Sequence, residues 1–304
     1  MKKFAILLIL TIAVGRLLAQ QSALTTNYMH NPFLLNPAVA GTTSSYQMRL
    51  MTRTQWVGFD DAPFTSSISA NGPLSPKNKN MGVGALIYND VTGLTSSLGA
   101  RGAYAYNFSI HERYRVSMGA TFGFMQFKYD GSSVSKDIID KTDQTLTTTR
   151  SNFVPDATLG AMVYSSNIQA GISVDHLFNN TLNLSNDVAA SGLAKLKRHV
   201  YILALYHYPL NRKWALEAST LIKGVTPVYP QADLNIRAIY TGLHWFGLSF
   251  RTQDGISIMG GYVFNKRLQI GYSADFSVFS PMRSYSFGSH ELMIGYRFNS
   301  MKFR

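Results

Sequence analysis

In the segment from Glu291 to Phe298, Leu292, Ile294, Tyr296 and Phe298 alternate with Glu291, Gly295 and Arg297, and only Met293 breaks the pattern. Successive residues of a strand face opposite ways, so the segment presents one oily face and one wet face. An aromatic near its end suits the closing strand of an outer-membrane barrel. The same period recurs upstream. Leu268, Ile270, Tyr272, Ala274 and Phe276 oppose Gln269, Gly271, Ser273 and Asp275. Ile256, Ile258, Tyr262 and Phe264 oppose Ser257, Met259 and Gly261, while Leu234, Ile236, Ala238 and Tyr240 oppose Asn235, Arg237 and the apolar Ile239. One such strand also fits a half-buried strand of a soluble sandwich, and it is the repetition that argues for a barrel.

The chain begins with Lys2 and Lys3, an apolar stretch from Phe4 to Val14, and a small residue at Ala19, which reads as a secretory signal peptide over residues 1–19. No cysteine follows, which excludes a lipid-anchored lipoprotein and any disulfide framework. Taking Lys2, Lys3 and Arg16 away with the signal leaves 25 basic against 16 acidic residues, a net charge of +9. Export makes nucleic acid an unsuitable partner for that charge; anionic lipid head groups, lipopolysaccharide or an acidic protein fit it better. Charged residues are 14% of the chain, against about 25% in ordinary soluble domains, too few to coat a water-facing surface of this size. Tyrosine (17) and phenylalanine (18) supply what aromatic girdles use at the boundary of hydrocarbon and water.

The pattern predicts strands near 46–53, 64–72, 82–90, 97–108, 114–128, 156–164, 168–176, 199–208, 213–223, 231–240, 244–251, 256–264, 267–276 and 288–298. An even count of about fourteen sends both ends of the barrel to the periplasmic side. Every odd-to-even connection then faces outward. The inward connections Ser165 to Asn167, Pro209 to Arg212, Thr241 to Leu243 and Asn265 to Lys266 are short, while the longest, Tyr129 to Pro155 and Leu177 to Arg198, face outward. The stretch Asn71 to Asn80 misfits, being long for an inward turn; it is either a docking feature or a plain longer turn. The long outer connections are rich in Ser, Thr, Asp and Asn and read as mobile surface loops. The expected layout is an all-β, antiparallel transmembrane barrel over 46–298, an extended N-terminal segment at 20–45 and a C-terminal extension at 299–304.

The N-terminal segment carries two Asn-Pro steps, Asn31-Pro32 and Asn36-Pro37, which set two turns because proline fixes its backbone and biases its predecessor away from helix. Then come Gln55, Trp56, Val57, Gly58, Phe59, Asp60 and Asp61, followed by Gly82, Gly84, Asn89, Asp90 and Gly93. Later stand Gln231 to Asn235, Gly271 to Asp275, and Ser289, His290, Glu291, Leu292. In this order and spacing the set resembles the PorP/SprF family of type IX secretion system membrane proteins of the Bacteroidetes, from about Asn27 to Phe298. The resemblance implies a non-enzymatic outer-membrane barrel that takes no cofactor and serves a protein-export machine. One branch of the family works with the secretion motor; the other is a partner of a large secreted cargo or adhesin.

By the strand parity, Gln55 to Asp61 lie in the first outer connection and Asn89, Asp90 and Gly93 in the second, so they meet at one rim. Trp56 and Phe59 are candidate apolar anchors for a cargo domain, with Gln55, Gly58, Asp60, Asp61, Asn89 and Asp90 orienting it. A girdle tryptophan beside a tight closing loop is the other reading. Glu217, Asn235, Arg237, Arg251, Asp275, Glu291 and Arg297 are expected to face the lumen, and unpaired charges there are costly, so a mutual charge network is expected. A diffusion pore lined by the same groups is the alternative, and the N-terminal segment is a candidate plug. Catalytic groupings are weak. His290-Glu291 lacks a second histidine, no Gly-x-Ser-x-Gly accompanies His207, and Asp60-Asp61 lacks the spaced ligands of a calcium loop, so neither an enzyme nor a metal site is expected.

Overall fold

A computed structural model describes residues 25–75, 80–131, 149–182 and 194–298. The signal peptide, residues 20–24, Pro76 and the C-terminal extension lie outside the described residues, as do most of the two longest outer connections. Among the described residues, fourteen antiparallel strands close into a barrel. They are β1 (Tyr46–Thr54), β2 (Phe64–Pro73), β3 (Met81–Thr92), β4 (Thr95–Ser109), β5 (Arg115–Tyr129), β6 (Arg150–Tyr164), β7 (Ile168–Asp175), β10 (His199–Pro209), β11 (Trp214–Val225), β12 (Val228–Tyr240), β13 (His244–Arg251), β14 (Gly255–Phe264), β15 (Leu268–Phe276) and β16 (Ser289–Phe298). Two short strands, β8 (Thr181–Leu182) and β9 (Ala194–Lys195), pair with each other in the connection from β7 to β10. Each barrel strand pairs with its neighbours in the chain. Closure comes from β1 on β16, in register from Tyr46 opposite Phe298 to Thr54 opposite His290. No described helix is long and apolar enough to cross a membrane.

The alternation behaves as a barrel requires. On β13, Phe246, Leu248 and Phe250 are exposed on the outer face while Trp245, Ser249 and Arg251 are buried inside. The same holds on β14, with Ile256 and Ile258 out and Ser257 and Met259 in. This many large apolar side chains in water would be a prohibitive exposed patch, and facing hydrocarbon they are in their favoured medium. At the end of the barrel with the short turns, aromatic rings pair around the outside. Trp214 lies 4.7 Å from Tyr240, His244 4.6 Å from Tyr262, Tyr262 4.5 Å from Phe264, and Tyr296 4.6 Å from Phe298. That end is called the inner mouth below, and the end with the long connections the outer rim.

Two expectations are corrected. β6 starts at Arg150, six residues before the strand read from the sequence, and runs through Pro155. Its first nine residues pair only with β5, because pairing with β7 begins at Leu159, so the missing proline N–H points off the ladder. The outer connection after β7 is also partly folded onto the barrel: Leu182 and Leu196 are buried against Met125 and Val154.

Candidate functional site

The residues ahead of β1 turn back into the barrel and lie inside it as three single-turn 3-10 helices, Tyr28–His30, Pro32–Leu34 and Pro37–Val39. The two Asn-Pro steps start the second and third turns. Asn36 accepts from the Ala38 N–H at 2.9 Å, and its Nδ2 donates to the wall carbonyls of Ala161 and Ile172 at 3.1 and 3.2 Å. The wall answers with hydroxyls: Ser173 donates to the Leu35 carbonyl at 2.5 Å and Ser117 to that of Ala38 at 2.6 Å. Glycines on the wall let the segment approach. A Cβ on Gly119 would stand 2.6 Å from the Ala38 nitrogen, and one on Gly82 2.1 Å from the Ala40 oxygen.

Nearer the outer rim the segment is held by charge. The Thr26 and Asn27 N–H groups donate to the Glu291 carboxylate at 2.8 and 3.0 Å, and the Thr26 hydroxyl donates to Asp275 at 2.8 Å. Arg53 pairs with Asp275 at 2.6 Å and with Glu291 at 3.3 Å. Arg251 pairs with Asp233 at 3.0 Å, Asp254 at 3.4 Å and Asp275 at 3.5 Å, and Lys223 stands 3.7 Å from Asp233. Buried carboxylates and guanidiniums are tolerated in such a lumen because each has several opposite charges or hydrogen-bond partners.

Of the sequence-predicted lumen charges, Arg251, Asp275 and Glu291 therefore come together, and Glu217 and Arg237 form a separate ion pair nearer the inner mouth. Arg297 keeps the inward parity but does not join the paired charges. It is exposed at the inner mouth and has no ion-pair partner among the described residues, because it lies past the carboxylates at the far end of β16. Arg53, Lys223, Asp233 and Asp254 were missed, although Arg53 shares the inward parity of Met51, and Asp233 that of Asn235 and Arg237. A second cluster was also missed. Arg101 pairs with Asp156 and, at 2.8 Å, with Asp175, and His176 stands 3.0 Å from Asp156. Asp156, Asp175 and His176 are close enough to share a cation, but the Arg101 guanidinium already lies against both carboxylates.

At the outer rim, the turn after β1 is tied to the one before β16: Val57 N–H donates to the Gly288 carbonyl at 2.8 Å, and Phe287 N–H to that of Val57 at 2.7 Å. Trp56 and Asp61 adopt positive φ, 53° and 56°. Trp56 is half-buried, while Gly58, Phe59, Asp60 and Asp61 are exposed. Gln55 N–H donates to the Pro63 carbonyl at 2.8 Å, and Gly93 N–H to that of Asp61 at 3.3 Å, which joins the first two outer turns. Asn89 and Asp90 do not lie in the second turn as expected. They belong to β3, where Asp90 accepts from Thr65 at 2.5 Å and lines a lumenal cavity of about 150 Å³. His290 and Glu291 face opposite ways, His290 meeting the Tyr272 hydroxyl at 2.6 Å and Glu291 the lumen.

A closed barrel with an apolar exterior, an aromatic girdle and a lumen occupied by its own N-terminal segment is an outer-membrane β-barrel. The chain belongs to the family described as type IX secretion system membrane protein PorP/SprF, whose model matches residues 17–296. No curated protein matches it in sequence. Among solved structures it is similar to the Ralstonia pickettii toluene transporter TbuX, with TM-score 0.54 and 11% identity over 91% of this chain and 94% of that one. It is also similar to the CymD monoaromatic hydrocarbon channel, with TM-score 0.55 and 10% identity over 88% of this chain and 92% of that one. At such identities the likeness is one of fold.

Proposed function

We propose that this barrel is a non-enzymatic part of the type IX secretion system that supports export or surface retention of a secreted cargo, such as a large adhesin. The observation that carries the reading is the occupied lumen. The N-terminal segment runs from Glu291 near the outer rim to Gly82 and Asn107 at the inner mouth, bonded to the wall along its length. A barrel filled in this way offers its ends to other molecules more readily than its bore. At the outer rim, Trp56 and Phe59 beside Asp60 and Asp61 supply apolar anchors and orienting charge for a cargo domain. The lipid face, with its exposed Leu, Ile and Phe, is matched to outer-membrane lipid and lipopolysaccharide.

The second reading is a channel for small solutes, favoured by the fold shared with TbuX and CymD, which are named as a toluene transporter and a monoaromatic hydrocarbon channel. Comparative surface proteomics of a strain lacking the gene separates the two readings. One large surface protein left unexported or shed supports the secretion role. An unchanged exported set, together with a steady open conductance of the purified barrel in planar bilayers, overturns it in favour of the channel.

A further inference from the structure

The inner mouth holds a cavity of about 460 Å³ that the secretion role does not use. Arg49, Arg237, Lys266, Arg267 and Arg297 line it, and among the described residues no carboxylate does. The contrast with the outer half of the lumen is sharp, since Arg53, Arg101, Lys223 and Arg251 there are each within ion-pair distance of at least one of Asp156, Asp175, Asp233, Asp254, Asp275 and Glu291. Around the inner cavity only Arg237 has an acidic partner, Glu217, among the described residues. Arg49 and Arg297 are diagonal neighbours on β1 and β16, Arg49 opposite Gly295 and Gln47 opposite Arg297, so two like charges share one face. Like charges on neighbouring positions of one face repel, and an anion between them relieves that repulsion. The inner surface of the cavity adds Trp245, 5% exposed, whose ring lies 4.2 Å from His30 and 5.7 Å from the Arg237 guanidinium. Among the described residues, the Trp245 indole N–H and the Nε groups of Arg49 and Arg237 have no acceptor. A cavity rich in cations and unsatisfied donors is complementary to a ligand that only accepts.

We propose that this cavity is a binding site for a small polyanion of carboxylate or phosphate chemistry, entered from the inner mouth. Its volume lies within the range of small-molecule pockets, about 300–1,000 Å³. Arg297, Lys266 and Arg267, exposed at the entrance, attract the ligand; Arg49 and Arg237 bind it farther in, and Trp245 forms an apolar wall. The anion is either a free solute or a carboxylate borne on a peptide chain. This inference goes beyond the secretion role and stands or falls independently of it.

The test is calorimetric titration of the purified barrel in neutral detergent at constant chloride, with inorganic phosphate, citrate and a tetraglutamate peptide as the three probes. Saturable binding of phosphate or citrate is expected if the source is a free solute, and of tetraglutamate alone if it is a chain. In either case Arg297→Gln and the double variant Lys266→Gln/Arg267→Gln should weaken binding by about tenfold or more, as loss of charge-assisted hydrogen bonds does. These side chains are exposed, so both variants should keep the heat-modifiable gel migration of a folded barrel. A variant retaining Trp245 but carrying Trp56→Phe and Trp214→Phe should show a fluorescence change that saturates with the heat. No saturation with any probe, or wild-type affinity in the charge variants, overturns the proposal.

Discussion

Asp275 has Arg53 at 2.6 Å, Arg251 at 3.5 Å and the Thr26 hydroxyl at 2.8 Å, so one carboxylate joins three strands of the wall to the lumenal segment. Removing a single partner leaves buried charge uncompensated. Arg53→Met should therefore destabilise the barrel by about 3 kcal/mol, the lower end for a broken buried pair, seen as a lower midpoint in heat-modifiability or circular dichroism melts. The second prediction at this scale concerns His30. Burial, with Arg237 and Arg49 beside it, holds the His30 imidazole well below its ordinary value near 6.5. The released segment takes up a proton below that value and the seated one does not, so the stability is present above it and lost as pH falls. The melting midpoint should drop between pH 7.5 and 5, and His30→Gln should flatten that dependence. Arg53 was legible only as one more inward parity position; its two carboxylates come from β15 and β16, more than two hundred residues away.

At the scale of the element, the N-terminal segment is legible in the sequence as two proline turns and a candidate plug, without the contacts that seat it. Its three 3-10 turns depend on hydroxyls and glycines contributed by strands far along the chain, and a local reading cannot see these. Gly119→Leu, which drives a side chain into the Ala38 backbone, should unseat the segment while leaving the strand ladder intact. Single-channel recordings are expected to show larger or more frequent openings than the parent. Deleting residues 25–40 should give a larger and steadier conductance still; an unchanged conductance would mean that the segment does not obstruct the bore. The strands themselves were legible almost throughout, because their side-chain period is two and lipid demands a uniform exterior. From the sequence β6 starts just after Pro155, and only the barrel shows that the strand runs through the proline, where it pairs with β5 alone.

The whole molecule has an orientation that its lack of cysteine makes easy to test. Asp60→Cys at the outer rim should react with a membrane-impermeant maleimide on intact cells, and Asn265→Cys in an inner turn only after lysis; the reverse labelling would invert the barrel. Strand number, parity and the lipid-facing set followed from the chain alone, since each is a repeated local pattern imposed by the solvent on either side of a strand. Tertiary structure decided which charges meet. Closing β1 against β16 brings Arg53 beside Glu291 and leaves Arg49 and Arg297 without a carboxylate among the described residues, and folding the first turns back inside turns a polar leader into the filling of the lumen. Those contacts join residues distant along the chain, and their energies depend on spacing in three dimensions, which no periodicity encodes.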